Sequence, residues 1–203
     1  GFGAAFAAWK KFGNDASYIP VRYDEPPPEE LGGKEIYIVD FSYPKEILLN
    51  IEKNAKRLVI LDHHIGVKNN VEAIREHVFD NDRSGTGITW GYFHPDAPLP
   101  RLLAYVQEGD LLRFTLPHHN EIRAFLSIIE FDFLFWKNLS ENFDNETVFK
   151  QYVERGRAYS EYFNFICRNL AAQAEQAEFE GYKILTVNAP RLFRSELGHE
   201  LAI

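Results

Sequence analysis

With 203 residues, 45% of them hydrophobic and 15% aromatic, the chain can bury one core of ordinary size, or one domain plus part of another. A net charge of −8 and a pI near 5.4 exclude a protein that grips long duplex nucleic acid through a broad basic surface, but leave room for a small or end-on phosphate ligand. The lone Cys167 excludes a disulfide framework and a cysteine-only zinc cluster; with no secretory signal and no apolar run near the roughly 18 residues of a membrane span, a cytoplasmic protein without a membrane partner is expected.

Gly3 to Lys11 has helical periodicity and closes at Gly13, and Tyr18-Ile19-Pro20-Val21 reads as a short strand. Because the chain has no methionine and opens on Gly1-Phe2-Gly3 inside a helix start, an amino-terminal strand is expected before it. Pro26-Pro27-Pro28 marks a loop. Ile36-Tyr37-Ile38-Val39 is a strand ending at Asp40, Pro44 to Asn54 a helix with proline at its start, and Leu58-Val59-Ile60-Leu61 a strand ending at Asp62, which makes a βαβ unit. Glu72 to His77 is predicted helical, Val78-Phe79 an edge strand, and Thr86 to Phe93 a helix opened by Ser84-Gly85-Thr86-Gly87. Leu99 to Leu139 reads as helices, with Gly109-Asp110 between two of them. Val148, Tyr152, Tyr159, Phe163, Ile166 and Leu170 recur at helical steps, which predicts one long amphipathic helix from Glu146 to Glu178, ending at Gly181. Tyr182 to Asn188 then reads as a strand and Glu196 to Ala202 as a helix. The fold class expected is α/β: a doubly wound, mostly parallel sheet, a long linker helix, and the start of a smaller α/β second domain, over residues 1–143, 144–180 and 181–203.

Polar residues at the carboxyl ends of parallel strands fall where open α/β sheets bind ligands. Two strands deliver Asp40 and Asp62-His63-His64 to one edge, and Glu108-Gly109-Asp110 adds another acid. Such carboxylates and imidazoles repel one another and lose hydration unless a cation holds them, so the pattern points to a divalent-metal site. Each residue has a plainer use: Asp40 as a helix N-cap, His63 and His64 as loop histidines, Asp110 as a cap for Leu111 onward, Ser84 to Gly87 as a capped helix start. His118-His119 reads as a solvated loop, Cys167 as core and His199 as a surface helix residue.

In this order, Val39-Asp40-Phe41-Ser42-Tyr43-Pro44, Leu61-Asp62-His63-His64, Arg83-Ser84-Gly85-Thr86-Gly87 and Glu108-Gly109-Asp110 resemble motifs of the DHH phosphoesterase superfamily. Gly1-Phe2-Gly3-Ala4-Ala5 resembles the helix after that family's first motif. Asn188-Ala189-Pro190 and Ser195-Glu196-Leu197-Gly198-His199-Glu200 resemble the opening of its carboxyl-terminal domain. The resemblance implies a manganese-dependent phosphohydrolase with two ions, magnesium or cobalt as substitutes, in which Asp40 bridges the ions while His63 and Asp110 complete one of them. It further implies that His64 faces the phosphate and that Asp62 orients the neighbouring loop or an imidazole. The expected substrate is a small nucleotide or short oligonucleotide in the cleft between the two domains, with Ser84 and Thr86 available to phosphate oxygens. A phosphoanhydride hydrolase of exopolyphosphatase or pyrophosphatase type, and a non-catalytic nucleotide-binding module, are the alternatives. Ile65-Gly66-Val67 departs from the basic or small residue that follows Asp-His-His in many relatives. Oligomeric state stays open, a homodimer included.

Overall fold

The computed structural model describes residues 1–202; Ile203 and the side chains of Ser195, Glu196 and His199, and with them the reading of His199, lie outside the described residues. The chain divides into two compact units, the first of residues 1–119 and 129–149, the second of residues 120–128 and 150 onward.

The first unit is mixed α/β around a three-stranded parallel sheet of β1 (Glu35–Val39), β2 (Arg57–Asp62) and β3 (Glu76–Phe79), in that order. Side chains alternate across the sheet, as the two-residue period of a strand requires. Ile38, Leu58 and Ile60 point to one face and pack with Leu48 and Ile51 of α2 (Lys45–Asn54) and with Val71 of the short α3 (Lys68–Val71). Val59 and Leu61, flanked by Tyr37, Val39 and Val78, point to the other and meet Ala8 and Phe12 of α1 (Phe2–Phe12) and Ile88 and Phe93 of α4 (Gly85–Phe93). Helices therefore cover both faces, which is why β2 reads as an unbroken apolar run rather than an alternating one. The register that pairs Val39 with Leu61 sets Asp40 level with Asp62 at the carboxyl edge, and the Asp40 amide donates to the Leu61 carbonyl at 2.8 Å. Helices α5 (Arg101–Asp110) and α7 (Phe133–Phe143) complete this unit, with the first residue of α6 (His119–Leu126) and the start of α8 (Glu146–Ala171).

In the second unit α6 and α8 pack through Phe125 stacked on Tyr152, ring centroids 4.6 Å apart, beside the fully buried Ile122. Gly156 permits this approach, since a Cβ there would lie 1.8 Å from the Glu121 carbonyl oxygen. An antiparallel hairpin of β4 (Glu175–Phe179) and β5 (Tyr182–Thr186), then α9 (Arg194–Leu201), follow.

Five expectations about local structure are corrected. Tyr18 to Val21 forms no strand: Pro20 has no N–H to give a ladder, and the segment is held instead by the Tyr18 hydroxyl donating to the Gly13 carbonyl at 2.8 Å and by its ring on Phe133. Glu72 to His77 is not a helix, because Glu76 and His77 belong to β3, opposite Val59 and Ile60. The long helix stops at Ala171, not Glu178; residues 175–179 pair with β5 across a two-residue turn, so Gly181 closes a hairpin rather than a helix. Asp110 is the last residue of α5 rather than a loop residue between helices. His119, expected in a solvated loop, opens α6 and is buried. Cys167 is buried, as expected of a core thiol.

Candidate metal centre

Two strand ends and one helix end build the site. Asp40 follows β1 directly and adopts a left-handed backbone, φ 55°, a conformation that aspartate tolerates better than most residues and that turns its carboxylate in over the sheet edge. Gly85, first residue of α4, makes room for it: a Cβ at position 85 would lie 2.1 Å from Asp40 Oδ1. Only hydrogen fits there. The neighbouring Ser84 is fully buried and its hydroxyl accepts from the Gly87 amide at 3.2 Å, capping α4, while its own amide donates to Gln107 Oε1 at 3.2 Å. Thr86 is buried too, 2% exposed, on the side that packs against Gly3 of α1. Both hydroxyls expected to meet a phosphate thus face inward, and Gly85 is the residue of this loop that touches the site.

Asp62 is 0% exposed. A buried carboxylate needs donors to offset its lost hydration, and its Oδ1 receives three: the His63 amide at 2.7 Å, the His64 amide at 3.3 Å and His64 Nδ1 at 2.7 Å. Since a carboxylate only accepts, the proton sits on Nδ1 of His64 and leaves Nε2 with a lone pair on a side chain 43% exposed. Asp62 therefore fixes both the tautomer and the orientation of His64.

His63 Nε2 lies 3.3 Å from Asp40 Oδ1 and 3.3 Å from Asp110 Oδ2. It makes a hydrogen bond with neither: Nε2 and Asp40 Oδ1 are both buried without a hydrogen-bond partner. Burial lowers the pKa of His63, against the opposing pull of the Asp110 charge, and so favours the neutral imidazole that a metal requires. Ligand atoms held about 2.1 Å from an octahedral ion stand about 3 Å from one another, close to the spacing found here. Asp40, Asp62, His63 and His64 each offer a ligand atom within 4.8 Å of the others, and Asp110 joins through His63. The donor set, oxygen and imidazole without thiolate, is one that a divalent cation can take. The residues fit a cation, and a cation would satisfy the two orphaned atoms.

Three further residues take part, of which Glu108 alone falls within a motif. Gln107 holds the start of α4, as described. Glu108 accepts from the Thr115 amide at 2.6 Å and hydroxyl at 2.8 Å, which pins the loop behind Asp110; burial pushes its pKa up, but these bonds outweigh it and the net shift is downward. Tyr23 lies on Phe41, centroids 4.8 Å apart, and its phenol is pushed up by burial and by the Asp62 charge. Gln107 and Tyr23 carry no local signal, because they meet the site through α4 and through Phe41, whereas Glu108 stands in the same motif as Asp110.

No family model matches the chain, and no solved structure matches it. An uncharacterized protein of Acanthamoeba polyphaga mimivirus is 28% identical to it over 222 residues, an alignment that takes in 99% of this chain and 52% of that protein. The chain spans about half the length of this curated relative. Among the described residues no helix is long and apolar enough to cross a membrane.

Proposed function

We propose that this protein is a manganese-dependent phosphoester hydrolase of DHH type acting on small nucleotides or short oligonucleotides. The observation that carries the reading is the meeting of Asp40 Oδ1 and Asp110 Oδ2 at His63 Nε2, 3.3 Å each, without a hydrogen bond to account for it. Support comes also from the order of the four motifs along the chain and from the sheet edge at which their acids and imidazoles stand. In this reading the first unit is the catalytic domain of a doubly wound fold, and the hairpin with α9 opens a substrate domain.

Asp40, His63 and Asp110 hold the metal. Asp62 keeps His64 in one tautomer, so that Nε2 presents its lone pair, or in the protonated ring a second N–H, to a phosphate oxygen. Divalent ions held by these residues would supply a water acidified toward neutrality and positive charge against the developing oxyanion. The covered sheet beneath keeps the ligands from relaxing away from that geometry. A hydrolysis panel with manganese tests this: short RNA, adenosine 3′,5′-bisphosphate, cyclic dinucleotides and polyphosphate, each repeated with Asp40→Ala and His63→Ala. Release of phosphate or nucleotide by the wild type alone is expected. Equal turnover in both variants overturns the assignment, and turnover of polyphosphate alone redirects it to phosphoanhydrides.

A further inference from the structure

An aromatic cluster begins beside Asp40 at the start of α1 and ends in one exposed ring, Phe131. Phe2, next to the Gly1 nitrogen that lies against Asp40 Oδ2, stacks on Phe131 at 4.9 Å and 25° and on Phe133 at 5.0 Å and 15°, and meets Trp136 edge-on at 4.9 Å. Trp136 is buried, 4% exposed, and its indole N–H donates to the Glu130 carbonyl at 3.1 Å, which ties the cluster to the backbone just before Phe131. Phe131 itself is 74% exposed. A phenylalanine so bare gains little from folding; here it is held flat on a rigid ring with its outer surface open. Adding the Gly1–Asp40 contact, the covalent path from Gly1 to the Phe2 ring and one stacking distance puts Phe131 within about 17 Å of the Asp40 carboxylate, a span that a trinucleotide covers.

We propose that Phe131, supported by Phe2, is a stacking platform for a base of the substrate whose phosphate lies at Asp40, His63 and Asp110. The proposal rests on the hydrolase reading and deepens it: the site selects substrates that carry a base over bare phosphate chains. Every nucleobase has a π-face, so a platform of this kind recognises single-stranded substrate without reading its sequence. A pyrophosphate or polyphosphate has nothing to lay on the ring.

The test is equilibrium binding, by fluorescence anisotropy with calcium in place of manganese, of an end-labelled adenylate trimer and of an abasic trimer with the same phosphates. Wild type is expected to prefer the adenylate trimer by at least about fivefold; Phe131→Ala removes that preference and leaves abasic affinity alone, and Phe131→Tyr keeps it. The variants fold, since the side chain is exposed. A wild type that binds the two trimers alike, or a Phe131→Ala protein that keeps the preference, overturns the platform. Parallel assays with manganese separate the two ideas: a Phe131-dependent preference without hydrolysis of any ester sinks the hydrolase reading and keeps the platform, whereas unchanged KM for adenylate in Phe131→Ala sinks the platform and keeps the hydrolase.

Discussion

Two small sheets in this chain are written in similar residues and behave in opposite ways. β2, Arg-Leu-Val-Ile-Leu-Asp, is buried from Leu58 through Asp62, whereas β5, Tyr-Lys-Ile-Leu-Thr, and its partner β4 are exposed at every position. β2 has a strand on each side and helices on each face; the hairpin has a single cross-strand partner and no covering layer among the described residues. A covered strand is immobile, so the groups at its end keep their spacing, and Asp62 can be held at 0% exposure by donors from the next two residues. An isolated two-stranded hairpin is marginal in water and fixes nothing beyond its own turn. Chemistry that needs ångström placement belongs at the first sheet.

That contrast can be broken at several points. The largest effect is expected from the ligands: Asp40→Asn, which keeps a residue tolerant of positive φ, and His63→Ala both abolish manganese binding by calorimetry. They also remove the stabilisation, about 2.7 kcal/mol at a hundredfold excess over the dissociation constant, that the metal confers on the wild type in thermal melts. Retained binding in either variant would show that the cluster is structural. Next comes Leu61→Ala, fully buried between sheet and helices, with an expected loss of about 2–5 kcal/mol in denaturant unfolding; a loss below 1 kcal/mol would mean that the sheet is not the rigid member of the pair. Gly85→Ala forces Asp40 aside and is expected to cost about a hundredfold in turnover while far-ultraviolet circular dichroism stays unchanged. Asp62→Asn weakens the hold on the His64 ring, and a turnover reduced about 10- to 100-fold, with manganese affinity kept, is the outcome to look for. The smallest effect belongs to the hairpin: Leu185→Ala, 44% exposed, is expected to change stability by less than about 0.5 kcal/mol. A cost of 2 kcal/mol there would erase the distinction between the two sheets.

Much of the site was legible because strands buried on both faces advertise themselves as β-branched runs, and what terminates each run marks the sheet edge. Val39-Asp40 and Leu61-Asp62 were readable for this reason, and so was the βαβ unit with Pro44 before its helix. β3 was not, since a run as polar as Glu76-His77 becomes a strand only by pairing with Val59 and Ile60. The helical periodicity running on to Glu178 misled in the same way. Local preference there yields to the hairpin, whose turn has φ 51° at Glu180 and φ 81° at Gly181, the positive pair that a two-residue hairpin turn requires. Glu180-Gly181 before a β-branched run was the available signal.

Sequence alone determined which residue types reach the sheet edge, because strand period and strand termination are local properties of the chain. Only the tertiary structure decided that Asp110, 47 positions beyond His63, faces the same nitrogen, that Gly85 yields its side-chain space to Asp40, and that Ser84 and Thr86 turn inward. Those outcomes depend on how α4 and α5 pack against the sheet. Packing is a property of surfaces made by residues far apart in the chain, and no local pattern encodes it.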